Sequence, residues 1–197
     1  MSRPVLVLYY SRHGSTLAMA KKIAQGIEQQ GLEARLRTVP EVNTNIDNQQ
    51  AAVPATGDPY VTHEDLQECC ALALGSPTRF GNMAAPLKYF LDETSAQWLA
   101  GTMENKPACV FTSTSSMHGG QETTLITMMI PLLHHGMFLC GLPYSSPQLH
   151  TTQTGGSPYG VTHLSQGKLG NKLSEDEQAL CIQQGKRLAI FASKLEK

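Results

Sequence analysis

Apolar residues run unbroken over residues 5–10 and then recur at Leu17, Ala20, Ile23, Ala24 and Ile27. The first pattern is that of a buried strand. The second is one face of a helix, closed by Gly31. The same alternation repeats down the chain. Residues 34–39 alternate in character as a second strand, and residues 69–74 form a continuous apolar third strand that ends at Gly75-Ser76-Pro77. A helix is predicted from about Ala85, with Pro86 in its first turn, where a proline removes no hydrogen bond. Residues 107–111 read as a fourth strand, residues 121–135 as a helix that Pro131 should kink, and residues 137–142 as a fifth strand. Ser174 and Glu177 have the spacing of a capping box for a last helix reaching Leu195.

Continuous apolar strands alternating with helices predict a parallel sheet covered on both faces. The expected fold is therefore α/β: a flavodoxin-like three-layer sandwich with a five-stranded parallel sheet in the order 2-1-3-4-5. In that arrangement ligands, FMN in flavodoxin itself, bind beyond the carboxyl ends of the strands. The chain, 1–197, reads as one domain. Two segments match no element, at about 40–62 and 143–171, and are expected to be long insertions that serve function or an interface.

Composition narrows the classes. Hydrophobic residues at 41% argue against disorder, and charged residues at only 16% suggest surface buried between subunits. A net charge of -1 gives no electrostatic claim on nucleic acid or an anionic membrane. No apolar run approaches the length of a bilayer span, and the start of the chain leads directly into a strand without room for a signal peptide. The cysteines (Cys69, Cys70, Cys109, Cys140 and Cys181) are odd in number, lack a C-x-x-C pair, and lie mostly in apolar runs. Reduced thiols and a cytoplasmic location are expected. His134 and His135 are adjacent, so on a helix they diverge and cannot share a metal; no metal site is expected, and His63, His150 and His163 read as structural.

Three loops carry the candidate chemistry. The first, Ser11, Arg12, His13, Gly14, Ser15 and Thr16, joins a buried strand to a helix and offers hydroxyls beside unpaired backbone N–H groups. It lacks a Walker lysine and lacks Gly-x-Gly-x-x-Gly, which argues against a nucleoside triphosphate and a dinucleotide loop. A cup for one phosphate remains. The second, Ser76, Pro77, Thr78, Arg79, Phe80, Gly81, Asn82 and Met83, sets an aromatic ring beside amide groups, as a flat heteroaromatic ligand requires. Arg79 is its one cation, a candidate donor to negative charge on a reduced ring. Asn82 serves as an edge donor or only as a helix cap. The third, Thr112, Ser113, Thr114, Ser115, Ser116, Met117, His118, Gly119, Gly120, Gln121 and Glu122, is a wall of hydroxyls whose glycine pair allows close approach of backbone to ligand. Together they describe a mononucleotide with a planar base, and FMN fits.

Residues 5–11, residues 75–83, Gly119-Gly120-Gln121-Glu122, His134-His135-Gly136-Met137 and Gly156-Ser157-Pro158-Tyr159-Gly160 resemble the WrbA-type NAD(P)H:quinone oxidoreductases, tetrameric relatives of flavodoxin. The matching stretches span the chain in order. The resemblance implies two-electron reduction of quinones by NADH or NADPH through FMN, with ping-pong kinetics, in a homotetramer. It implies that FMN is held by residues 11–16, 78–80 and 113–118, and that His134 reaches the flavin pocket of a neighbouring subunit. His13 would lie where the nicotinamide nucleotide approaches, although the family often has an aromatic there. Trp98 would line the cavity over the flavin. Two other readings stay open: a flavodoxin-type electron carrier, and a flavin-binding regulatory or scaffold protein.

Overall fold

The computed structural model describes residues 3–42, 53–166 and 170–196. In chain order these form β1 (Val5–Tyr9), α1 (Ser15–Glu28), β2 (Ala34–Thr38), α2 (His63–Glu68), β3 (Ala71–Pro77), α3 (Ala85–Asp92), α4 (Ser95–Leu99), β4 (Pro107–Thr114), α5 (Gln121–His134), β5 (Phe138–Leu139), α6 (Gln148–Thr151), β6 (Val161–Leu164) and α7 (Glu175–Leu195). The strands pair in parallel in the expected order, β2-β1-β3-β4-β5.

The unbroken apolar run of β1 serves two cores at once, because side chains alternate across a sheet. Val5, Val7 and Tyr9 pack with Met19, Ile23 and Ile27 of α1 and Leu180 and Leu188 of α7. Leu6 and Leu8 pack on the other face with Leu87 and Phe90 of α3 and Leu125, Met128 and Leu132 of α5. The capping box of α7 forms as its spacing predicts: Ser174 Oγ accepts from Glu177 N at 3.2 Å, and Ser174 N donates to Glu177 Oε2 at 2.8 Å.

The far edge of the sheet differs from expectation. Six strands are present among the described residues, not five. The fifth strand, expected over residues 137–142, is only Phe138–Leu139, which pairs with Pro107 and Ala108 at the start of β4. The chain then leaves the sheet and returns as β6, which pairs with residues 111–114 at the other end of β4. Residues 143–171, expected to match no element, thus carry α6 and β6. Glycines let the excursion close tightly. A Cβ on Gly141 would stand 2.0 Å from the Pro158 carbonyl oxygen, and one on Gly160 would stand 2.2 Å from that of Val110.

Other departures are local. β3 and β4 each run three residues beyond their expected ends, so Thr112, Ser113 and Thr114 are strand and not loop. Threonine is a good strand former, and its hydroxyl hides that. α5 continues through Pro131 and ends at His134, within one turn of it. α2 and α4 are short helices absent from the sequence pattern. Of the first insertion, residues 43–52 lie outside the described residues; beyond them Tyr60 bridges to Thr38 and Val61 N donates to Thr38 O at 2.9 Å, which extends the β2 edge. Every cysteine is a free thiol, and all but Cys140 are buried. Among the described residues no helix is long and apolar enough to cross a membrane.

Candidate functional site

β1, β3 and β4 end at one rim of the sheet, and β6 adds a fourth end beside them. A cleft of about 620 Å³ opens there. Its walls hold Ser11, Arg12, His13, Ser15 and Thr16 from the first loop, Pro77, Thr78, Arg79 and Phe80 from the second, and Ser113, Thr114, Ser115, Ser116 and Gly119 from the third. The three loops singled out by composition therefore meet.

Side-chain bonds tie the loops to one another. Thr16 Oγ1 lies 3.0 Å from Ser113 Oγ, and Thr78 Oγ1 lies 3.2 Å from Thr112 Oγ1. Thr78 N donates to Ser113 O at 2.8 Å, and Thr124 Oγ1 donates to Thr78 Oγ1 at 3.2 Å. The hydroxyls of Thr16, Ser113 and Thr78 thus brace the cleft as well as line it.

The first loop is built to leave donors open. α1 starts from Gly14 in a left-handed conformation (φ 92) with no side-chain cap. Ser11 Oγ accepts from Gly14 N and Leu17 N, both at 3.2 Å. Helix geometry leaves the N–H groups of Ser15 and Thr16 without intrahelical acceptors, at the positive end of the macrodipole. That donor set fits a phosphate. Ser11 acts through the loop's shape, whereas Ser15 Oγ turns toward two residues that the sequence reading missed: it donates to Asn171 Oδ1 at 2.8 Å and lies 3.1 Å from Ser165 Oγ. Asn171 Nδ2 also donates to the His13 carbonyl oxygen. Ser165 follows β6 as Ser11 follows the run of β1, but β6, with Thr162 and His163 among its four residues, gives no strand signal that would mark it.

The second loop makes a tight reversal. Arg79 N and Asn82 O pair at 2.8 Å and Asn82 N and Arg79 O at 3.0 Å, around Phe80 (φ 51) and Gly81 (φ 77). A left-handed phenylalanine is strained. The turn leaves the Phe80 ring fully exposed at the cleft's edge. Asn82 Oδ1 accepts from Met83 N at 2.8 Å, so it holds the turn and does not cap α3, whose cap position is Ala84. Close approach explains the glycines: a Cβ on Gly120 would stand 3.2 Å from Gly81 Cα, and one on Gly119 2.1 Å from Ser116 Oγ. These glycines, the uncapped helix and the hydroxyl walls make a cradle of the kind a mononucleotide needs.

Some expected site residues lie elsewhere. Met117 and His118 line a neighbouring cavity of about 380 Å³ with Gly120, Gln121, Thr154 and Ser157. Trp98 and His134 do not line the cleft within one chain. They meet each other at a cavity of about 480 Å³ between α3, α4 and α5, where Trp98 Nε1 donates to His134 O at 2.9 Å. Beside them, burial and then the neighbouring His134 hold the His135 imidazole below its ordinary pKa.

A doubly wound parallel sheet with an uncapped helix and three polar loops at the carboxyl ends of its strands defines a flavodoxin-like mononucleotide-binding protein. Residues 4–147 match the family model for NADPH-dependent FMN reductase. The chain is also 41% identical over 199 residues to an NAD(P)H dehydrogenase (quinone) of Solidesulfovibrio magneticus, covering 97% of this chain and 98% of that one. It belongs to the NADPH-dependent FMN reductase family. Solved structures agree on the fold: a WrbA-like flavodoxin protein from Agrobacterium tumefaciens (TM-score 0.69, 21% identity, 98% of this chain and 99% of that one) and an archaeal flavodoxin (TM-score 0.64, 20% identity, 96% and 99%).

Proposed function

We propose that the protein is an FMN-dependent NAD(P)H:quinone oxidoreductase. The observation that carries this is the single cleft in which three loops of the predicted composition converge, in a chain 41% identical to an NAD(P)H dehydrogenase (quinone). Residues 11–16 would hold the phosphate of FMN through the free N–H groups of Ser15 and Thr16. Thr78, Arg79 and Phe80 would meet the ring, with the Arg79 guanidinium near its edge. Ser113, Thr114, Ser115, Ser116 and Gly119 would wall the cleft on the other side. FMN, when bound, supplies the two-electron transfer between a reduced nicotinamide nucleotide and a quinone. The protein positions both substrates in turn over one open face, so initial-rate lines at varied quinone should run parallel.

Addition of FMN should give a protein whose yellow colour NADPH bleaches without oxygen and benzoquinone restores. Flavin fluorescence unchanged by the protein, even at high concentration, would overturn the reading.

A homotetramer belongs to the same proposal. Ile126, Ile130 and Leu133 form an i, i+4, i+7 stripe on α5 and are each about half exposed, with Trp98, Leu99 and Phe138 also exposed. Apolar patches of this kind mark association surfaces. Trp98 and His134 would then reach a neighbour's cleft. Light scattering should give a tetramer mass, and Ile130→Glu should shift it to smaller species. A monomeric wild type would refute the assembly.

A further inference from the structure

Arg12 and Arg79 belong to two cavities at once. Besides the cleft, they line an adjoining cavity of about 620 Å³ that also contains Tyr10, Glu41, Pro86 and Lys88. The second cavity therefore adjoins the site along both arginines. Its charge is mostly cationic, with three cations against Glu41. Those cations are not equally engaged. Arg79 Nη1 donates to the Thr78 carbonyl oxygen at 2.9 Å, and Lys88 Nζ pairs with Asp92 at 2.5 Å on the exposed side of α3. Arg12 has no carboxylate partner among the described residues and is exposed. Tyr10 OH donates to Glu41 Oε1 at 3.1 Å. Val42, Met83 and Pro86 add apolar surface to the same cavity.

A guanidinium without a carboxylate partner and an ammonium that line one cavity with apolar side chains, next to the redox cleft, suit a phosphate monoester attached to a flat base. A 2′-phosphate carries close to two negative charges at neutral pH, and arginine meets it through two parallel hydrogen bonds while lysine acts as a point charge. The N–H groups of Ser15 and Thr16 are not available for this, because the proposed function gives them to the flavin phosphate, whereas the Arg12 side chain of the same loop also lines the second cavity. We propose that this cavity receives the 2′-phosphoadenosine end of NADPH, with Arg12 and Lys88 on the 2′-phosphate, and that the protein prefers NADPH to NADH for that reason. The proposal rests on the oxidoreductase reading above, and it names the nucleotide that reading leaves open.

The test uses FMN-loaded protein with its flavin content measured. At low ionic strength the ratio of kcat/KM for NADPH to that for NADH should be about tenfold or more, as a charge-assisted contact implies. It should shrink as salt is added. Arg12→Gln and Lys88→Gln should each lower the ratio, and Glu41→Gln, which removes the opposing charge, should raise it. A ratio near one in the wild type, or equal losses for both nucleotides in Arg12→Gln and Lys88→Gln, would overturn the proposal. A second arm does not depend on turnover. Calorimetric titration with adenosine 2′,5′-bisphosphate should show binding that 5′-ADP does not match and that Arg12→Gln weakens. Equal binding of the two would place the cations on the shared phosphates and refute the 2′-assignment. Binding of the bisphosphate to a protein that fails to reduce quinone would show that the redox reading had failed and this one had not.

Discussion

Replacing Glu177 with alanine is expected to lower the free energy of unfolding by about 3–5 kcal/mol, the range for breaking a buried ion pair from one side. Glu177 and His163 are both fully buried. Glu177 Oε1 accepts from Gly155 N at 2.9 Å and Leu164 N at 3.0 Å, and Oε2 accepts from Ser174 N at 2.8 Å and faces His163 Nδ1 at 2.9 Å. His163 Nε2 faces the Gly170 carbonyl oxygen at 3.1 Å. A carbonyl only accepts, and a carboxylate already receiving three N–H groups has nothing to donate. Both ring nitrogens therefore face acceptors, Nδ1 the Glu177 carboxylate and Nε2 the Gly170 carbonyl oxygen. Alanine at 177 would strand four donors in the interior.

The pH dependence follows. Burial alone would push the Glu177 carboxyl up, but bonds from His163, Leu164 N and Ser174 N and the electrostatic pull of His163 outweigh it and hold the pKa below the usual value. A carboxyl depressed by folding stabilises above its unfolded value of about 4.3, and that stability goes as pH falls through the folded value. The gap between wild type and Glu177→Ala in urea titrations should be full at pH 7 and narrow below about pH 4. A gap under about 1 kcal/mol, or one that ignores pH, would mean the node is not the buried carboxylate described. The node also holds Leu164 and Gly170, the neighbours of Ser165 and Asn171, so the variant should retain FMN less well.

That node marks the limit of what periodicity reveals. The capping box was legible as Ser174 and Glu177, because its spacing is local. The same glutamate's bonds to Gly155 and Leu164 depend on where an insertion returns to the sheet, which no local pattern encodes. β6 is four residues long and carries Thr162 and His163 among its apolar positions, so it gives no strand signal. With β6 invisible, Ser165 and Asn171 could not be placed at the phosphate cup. The loops after β1 and β3 were legible for the opposite reason: each follows a long buried strand, and composition changes abruptly there. Trp98 and His134 came from the family resemblance, and in one chain they sit together away from the cleft. Arg12 was legible only as part of the phosphate cup and Lys88 not at all, because only the fold brings α3 beside the first loop.

Gly185→Ala tests a contact equally hidden in the sequence. Alanine is the better helix former by about 1 kcal/mol, so propensity alone predicts a more stable protein. The packing of α1 on α7 predicts the reverse. A Cβ on Gly185 would stand 2.1 Å from the Ile23 carbonyl oxygen and 3.1 Å from Ile27 N, and a Cβ on Gly26 would stand 2.1 Å from the Ile182 carbonyl oxygen. The two glycines let each helix rest on the other's backbone. Backbone cannot rotate aside as a side chain can, so the helices must separate, and Met19, Ile23 and Leu188 lose contact with the sheet's core. A net loss of about 2–3 kcal/mol is expected for Gly185→Ala, read as a lower urea midpoint with unchanged slope. Gly26→Ala should cost a similar amount. The double variant should cost less than the two together, because separation forced by the first methyl already makes room for the second. A stabilised Gly185→Ala would show that helix propensity, and not the approach of backbone to backbone, governs this crossing.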